Sequence, residues 1–347
     1  ILCPTRELCT QVARDIRTLG RKHAGLHVLL LCGGQPTYPQ LSALGKGVHI
    51  VVGTPGRVLD HLNRQTLDLR QIRCVVLDEA DRMLDMGFEE DMQKILSSTP
   101  KDRQTVFFSA TFPKSFTSMS KVHQRDPVFI SVQEAPESKP EIEQRVQTLQ
   151  PHDKQLALLA CLQTEKPESA MVFCNQKATV DTLTRWLKKM GMSTEGLHGD
   201  LEQQDRDRVM ARFRNHSIRV LIATDVAARG LDVADLDLVV NFDLPMQTQI
   251  YVHRIGRTGR AGKKGLAIAF VTAGESGRVQ EIERFAGAQF LRSQFTPSEE
   301  KPATKSLEQG AKMQTLYVSG GRKDKVRPGD ILGALTGDSG GLKSEDV

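Results

Sequence analysis

Short apolar runs alternate with amphipathic segments twice along this chain. In the first half the runs fall at Val28–Cys32, Val48–Val52, Cys74–Leu77, Thr105–Ser109 and Val128–Val132. Between them lie helix-like segments such as Arg6–Leu19, Phe88–Leu96 and Phe116–His123. In the second half the runs are Ser169–Cys174, Ser193–Leu197, Val220–Ala223, Leu238–Asn241 and Leu266–Val271, and the helices Lys154–Leu162, Val180–Met190, Gln203–Phe213 and Val279–Phe285. Near-continuous apolar strands alternating with helices predict a parallel sheet covered on both faces. The fold class is therefore α/β, with two copies of one architecture and no short-period repeat.

The first unit spans 1–133. A polar, proline-punctuated stretch at 134–144, with Pro136 and Pro140, reads as a linker. The second unit spans 145–295, and a second polar stretch at 296–312 leads into a glycine-rich tail at 313–347. The tail has a strand candidate at Thr315–Val318 and is too short to bury a core of its own.

Composition adds limits. Hydrophobic residues at 39% and charged residues at 26% make an ordinary globular mixture, which argues against a disordered chain. A net charge of +5 permits a polyanionic partner without identifying one. No apolar stretch is long enough to span a bilayer and no signal peptide is visible, so a cytoplasmic protein without a membrane partner is expected. The six cysteines form no C-x-x-C pair and read as reduced core thiols. The histidines lack ligand spacing, so no structural metal is expected. A start at Ile1 rather than Met suggests that the true start lies upstream.

The chemistry gathers where apolar runs end, as ligands do in open parallel sheets. Asp78-Glu79-Ala80-Asp81 closes the run Cys74–Leu77. Asp78 suits magnesium held through water, and Glu79 suits orienting and deprotonating an attacking water. Asp81 is left to bond elsewhere, and Ser109-Ala110-Thr111 offers it two hydroxyls. Pro4-Thr5-Arg6-Glu7-Leu8 and Thr54-Pro55-Gly56-Arg57 each place hydroxyls, a helix amino terminus and an arginine at a strand end, which suits a phosphate backbone. Gly33-Gly34 allows close backbone approach there. Downstream come Ala223-Thr224-Asp225, Ala228-Arg229-Gly230-Leu231-Asp232 and His253-Arg254-Ile255-Gly256-Arg257-Thr258-Gly259-Arg260. Arg254, Arg257 and Arg260 recur every third residue, like a rack of planar forks for phosphate oxygens. Taken singly, each motif is also an ordinary turn, helix cap or solvated charged face.

In this order the motifs are far more specific. From Ile1 to about Phe295 the chain resembles the DEAD-box RNA helicases, through PTREL, GG, TPGR, DEAD, SAT, the Gln203-x-x-Arg206 pair, ARGLD and HRIGRTGR. The resemblance implies two RecA-like parallel-sheet domains in tandem that close over ATP, Mg2+ and single-stranded RNA. It implies catalytic and nucleotide-binding roles for Asp78, Glu79, Arg257 and Arg260, with Asp232 on the ribose. It implies coupling through Asp81, Ser109, Thr111 and His253. RNA contacts fall to Thr5, Arg6, Gly34, Thr54, Gly56 and Arg57 on one domain, and to Gly199, Arg206 and Thr224 on the other. Contacts to backbone and 2′-hydroxyl groups select RNA without reading bases.

Residues Gly320–Asp338 resemble the opening of the RRM-like RNA-binding domain of DbpA-type helicases, which implies a large-subunit rRNA target and action as a monomer. Arg322, Lys323, Lys325 and Arg327 against Asp324 give that opening a local charge of +3, suited to RNA phosphates. No G-x-x-x-x-G-K-[ST] motif occurs: Gly45-Lys46-Gly47 and Gly262-Lys263-Lys264 both fail at the hydroxyl position. The family carries its phosphate loop before PTREL, so a partial sequence of an active helicase is expected, inactive by itself. One rival reading is a non-hydrolysing RNA clamp or annealing protein. The other is a DNA-translocating relative, against which TPGR, DEAD and SAT argue together.

Overall fold

The computed structural model describes every residue outside 112–113, 132–140, 229–230, 232, 234, 260–263, 298–310, 312, 338–339, 344 and 346–347. In the first unit the strands are β1 (Val28–Leu31), β2 (Ile50–Gly53), β3 (Cys74–Leu77) and β4 (Gln104–Phe107). Its helices are α1 (Arg6–Leu19), α2 (Thr37–Gly45), α3 (Pro55–Asn63), α4 (Ala80–Asp85), α5 (Glu89–Ser97) and α6 (Lys114–His123). Strand β1 pairs with β2 and β3 with β4, both in parallel. The first residues join the two pairs. Leu2 bridges to Gly53 on one side and Leu77 on the other, donating to the Val76 carbonyl at 2.8 Å and accepting from Asp78 N–H at 2.9 Å. The carboxyl ends of β2 and β3 are thereby fixed beside Pro4-Thr5-Arg6.

The second unit contains β5 (Ile142–Thr148), β6 (Ala170–Cys174), β7 (Thr194–Leu197), β8 (Val220–Thr224), β9 (Leu238–Asn241), β10 (Gly265–Val271) and β11 (Leu291–Gln294). Its helices are α7 (Lys154–Glu165), α8 (Lys177–Lys189), α9 (Gln203–Arg214), α10 (Asp225–Ala228), α11 (Thr248–Ile255) and α12 (Ser276–Ala286). The strands form one parallel seven-stranded sheet in the order β11-β5-β10-β9-β6-β8-β7. Strands β6 and β9 at its centre are buried along their whole length, between cores built on Leu158, Val180 and Leu183 on one face and Phe213, Leu231 and Leu236 on the other. In the tail, α13 (Pro328–Thr336) is the helix among the described residues.

Several expectations need correction. Strand β5 begins at Ile142, inside the stretch read as linker, because Ile-Glu-Gln-Arg-Val-Gln-Thr is only half-buried between β10 and β11 and therefore looks polar. The short, exposed β11 at the sheet edge escaped notice for the same reason. Residues 128–131 carry strand-forming side chains but form no ladder, and Val128 and Ile130 are exposed; propensity yields a strand only where a partner runs alongside. The rest of Val128–Val132 and the greater part of both linkers lie outside the described residues. Thr315–Val318 is not a strand either. Instead Thr315 shares hydrogen bonds with Asn215 (2.9 Å) and Ser217 (2.8 Å), and Tyr317 lies over the Arg208 guanidinium at 5.5 Å. The free cysteines are buried except Cys74, which is exposed at the start of β3.

Candidate nucleotide cleft and RNA groove

Strand β3 delivers Asp78 to its carboxyl end, and burial pushes the Asp78 carboxyl pKa up, opposed by the Glu79 N–H and by Arg82. The chain then turns at Glu79, which is left-handed at φ 50° and ψ 51°. Such a conformation costs a non-glycine residue about 1–3 kcal/mol and gathers at functional sites. The turn sets Glu79 facing back along α4, where both its carboxylate oxygens accept from Arg82 Nη1 at 2.8 and 2.7 Å. Ala80 N–H donates to the Phe108 carbonyl, tying the ends of β3 and β4 together. Asp81 Oδ2 accepts from both the N–H and the hydroxyl of Thr111 at 2.9 Å. Ser109, expected on Asp81 as well, instead donates to the Thr111 carbonyl at 2.5 Å and stiffens that turn.

Helix α11 of the second unit ends against this turn. His253, Arg254 and Arg257 bound one small cavity with Arg82, which Asp225 and Phe173 also line. The cavity therefore draws on both units. The His253 pKa is pushed down by burial first, then by the Arg82 cation, with Asp81 and Glu79 pulling the other way and Arg257 adding to the push. Arg257 Nη1 donates to the Leu231 carbonyl at 2.6 Å. Arg254 does not join the expected rack: its side chain is 1% exposed and pairs with Asp225, so its guanidinium is part of the sheet's core. Arg260 and Asp232 lie outside the described residues. Sequence reasoning missed Arg82; the available signal was its i, i+3 spacing from Glu79.

The lowered His253 pKa has a measurable consequence. An unfolded imidazole gains its proton near pH 6.5, whereas the folded one stays neutral to lower pH because burial, and then the Arg82 and Arg257 cations, oppose its charging. Stability is therefore fully present above the unfolded value and is lost as pH falls from there towards the depressed folded value. Melting temperature measured from pH 7.5 to 5.5 should fall less steeply in His253→Gln than in the parent. His61 and His123, which are lowered as well, contribute equally to both proteins. Parallel curves would remove His253 from the acid response.

A larger groove, about 820 Å³, opens between the units on the PTREL side. Thr5 caps α1, its hydroxyl accepting from Leu8 N–H at 3.3 Å. Arg6 crosses to the second unit and donates to Gln203 Oε1 at 2.9 Å. Its guanidinium lies against Gly34, where φ is 72°, a backbone conformation that favours glycine. Glu7 meets Arg206 at 2.7 Å, and Arg206 also donates to the Ala227 carbonyl. Thr54, Gly56 and Arg57 line the first unit's wall and Gly199 the second's. Arg57 is steadied by Thr37 at 3.2 Å and Asp60 at 3.5 Å. Thr224 is not brought to the groove: it closes β8 in register with Cys174, and the wall passes through Val226 instead. In the tail, Lys323, Lys325 and Arg327 are exposed around the Arg322–Asp324 turn, and Arg327 N–H donates to Asp330 at the start of α13.

The profile of the DEAD/DEAH box helicases matches residues 1–119, and that of the helicase conserved C-terminal domain matches 153–262. Over all 347 residues the chain is 46% identical to the ATP-dependent RNA helicase DbpA of Escherichia coli (strain K12), covering 74% of that protein. The chain belongs to the DEAD-box helicases. Its two parallel-sheet units are the RecA-like domains of that family. The DbpA RNA binding domain profile matches 315–347 of this DEAD-box helicase. DbpA of Bacillus subtilis (strain 168) is 39% identical across the whole chain, with 76% of its own length covered. The chain spans 54% of the Bacillus cereus helicase CshA, to which 82% of it is 47% identical. Among solved structures, S. cerevisiae Dbp5 bound to RNA and ADP BeF3 superposes with a TM-score of 0.73 at 33% identity, over 84% of this chain and 77% of that one. No described helix is long and apolar enough to cross a membrane.

Proposed function

We propose that this chain is the motor of an ATP-dependent RNA helicase that opens short duplexes in rRNA during large-subunit assembly, working as a cytoplasmic monomer. The observation that carries the reading is that the two units build two shared sites, the Arg82–His253–Arg257 cavity beside the Glu79 turn and the Arg6–Arg206 groove. The cleft residues fit a magnesium nucleotide: Asp78 is a partly desolvated carboxylate at a strand end, and Arg82 and Arg257 present guanidinium groups to one cavity. The rRNA target rests on the DbpA-type tail and its basic turn, Arg322, Lys323, Lys325 and Arg327.

Bound ATP with Mg2+ supplies the phosphoanhydride to be broken and a counter-charge for it. Asp78, at the end of β3, would hold the magnesium, which would offset the charge of the phosphates. Glu79 accepts the proton of the attacking water at a carboxylate oxygen, which requires its pair with Arg82 to open. Arg257 would meet the phosphates from the second domain; by their places in HRIGRTGR and ARGLD, Arg260 would share that role and Asp232 would contact the ribose. Hydrolysis then waits on domain closure, because developing phosphate charge is met only when both sides are present. Asp81, Thr111, Ser109 and His253 connect the two strand ends to α11 and pass closure to the groove. There Thr5, Arg6, Gly34, Thr54, Gly56, Arg57, Gly199 and Arg206 grip a bent single strand that no duplex can follow.

Phosphate release by the full-length protein tests this. RNA should stimulate it, a matched DNA single strand should not, and removal of the tail should abolish preference for an rRNA fragment while keeping general RNA stimulation. RNA binding without phosphate release would leave a passive clamp; equal stimulation by DNA would overturn the RNA assignment.

A further inference from the structure

We infer that His61 and Gln40 are positioning residues for the RNA groove: a buried relay through them holds the Gly33-Gly34 loop while Arg57 gives up its own loop contacts for phosphate. This rests on the RNA-groove reading above. His61 in α3 and Gln40 in α2 are 0% and 3% exposed, and neither lines the groove. Gln40 Nε2 donates to the Cys32 carbonyl at 3.2 Å, so its Oε1 faces His61 Nε2, 3.0 Å away. That orientation puts the imidazole proton on Nε2 and leaves Nδ1 to accept from the Thr66 hydroxyl at 2.8 Å. His61 and Gln40 are thereby bonded at both ends, as buried polar side chains require. The neutral imidazole this needs is favoured by burial first and then by the Arg57 cation, with Asp60 opposing and Arg64 adding to the push.

The relay ends on the peptide that joins Cys32 to Gly33. Strand β1 has already stopped at Leu31, and two successive glycines follow with wide backbone freedom, so the loop needs a hold from outside the ladder. Arg57 makes a second tie to the same stretch at the surface: Nη1 donates to the Thr37 hydroxyl at 3.2 Å and Nη2 to the Gln35 carbonyl at 3.4 Å. Arg57 also lines the groove, and a guanidinium that forks onto phosphate oxygens must release those two contacts. His61 stands one helical turn further along α3 and makes none of its bonds to the groove, so RNA leaves it undisturbed. One helix thus carries a cation that changes partners and an imidazole that does not, and the loop keeps its place beside Arg6 as the strand enters.

The test uses the full-length protein, with RNA-stimulated phosphate release read beside amide hydrogen exchange. Gln40→Met with His61→Phe replaces the relay by apolar side chains of similar size, which disturbs folding less than leaving half a hydrogen bond buried. This variant should raise the half-saturating RNA concentration about tenfold, the scale of one hydrogen bond to a charged group. It should leave RNA-independent release unchanged and speed exchange in the peptide carrying Gly33 and Gly34. His61→Gln keeps a donor for Gln40 while the Thr66 hydroxyl turns to the backbone carbonyl of position 61, already 3.1 Å away. Its half-saturation should stay within about twofold of the parent, since the tie to the loop survives. Gln40→Met alone should act like the double exchange, and it decides the matter if the double variant does not fold. A folded variant with parental half-saturation and parental exchange would overturn the relay. So would RNA-independent release that falls as far as the RNA response, the mark of general damage. A parent protein whose release RNA does not stimulate would defeat the groove reading instead, and the exchange result would still decide whether the relay holds the loop.

Discussion

Glu79→Gln in the full-length protein should lower RNA-stimulated phosphate release by about 10²- to 10⁴-fold, the range lost with a positioned general base, while the protein stays on RNA. Glutamine keeps the shape of the side chain but cannot take a proton from water. Its backbone position is the left-handed turn between β3 and α4, which asparagine and aspartate enter more readily than glutamine does; since glutamate already sits there, the exchange adds no new strain. Among the described residues the hydrogen-bond partner disturbed is Arg82, which loses one carboxylate oxygen as acceptor. The groove residues Arg6 and Arg206 make none of these contacts, so RNA affinity should hold and the closed complex should persist because its exit by hydrolysis is blocked. Single-turnover phosphate release with RNA in excess, read beside RNA dissociation, checks both halves. Turnover within threefold of the parent would take Glu79 out of the proton-accepting role. Arg82→Ala sharpens the reading: if the Arg82 pair restrains Glu79 before closure, this variant should raise RNA-independent release, an effect that loss of an ordinary surface ion pair does not produce.

Much of the architecture could be read from the sequence because buried parallel strands are written in apolar residues. The bounds of α1, β3 and β9 coincide with their apolar and amphipathic runs. What stayed hidden was whatever depends on a partner distant in sequence. Strand β5 looks polar since alternate residues meet solvent, and only its register with β10 makes it a strand. The spacing of Arg254, Arg257 and Arg260 suggested one face, but i, i+3 neighbours share a face only while a helix continues. Helix α11 ends at Ile255, so Arg254 turns inward and Arg257 follows the chain beyond the cap at Gly256. Likewise the pairing of Thr111 rather than Ser109 with Asp81 is decided by the turn after β4, where the Ser109 hydroxyl is claimed by a backbone carbonyl.

Arg254→Met should cost the second domain about 3–5 kcal/mol, the usual result of stripping one partner from a buried ion pair. Every donor of this guanidinium is engaged: Nε and Nη2 fork onto Asp225 at 2.6 and 2.7 Å, Nη2 also meets Asn175 Oδ1 at 3.0 Å, and Nη1 meets Asn241 Oδ1 at 2.9 Å and the Asp243 carbonyl at 2.6 Å. Asn175 follows β6, Asp225 follows β8, and Asn241 ends β9, so one side chain fastens the carboxyl ends of three adjacent strands. Methionine fills much of the volume but leaves a carboxylate and three carbonyl-type oxygens without donors. At this domain size the loss amounts to a melting temperature lower by about 10 °C. Arg254→Lys should recover less than half of it, because an ammonium cannot span Asp225 and Asn241 together. Arg254→Met combined with Asp225→Leu should recover more than lysine does, since removing both charges also removes the stranded carboxylate. Urea denaturation of the four proteins separates these outcomes. A single Arg254→Met variant within about 1 kcal/mol of the parent would mean that the guanidinium is held for a ligand rather than for the sheet, and would return Arg254 to the phosphate rack from which its burial removes it.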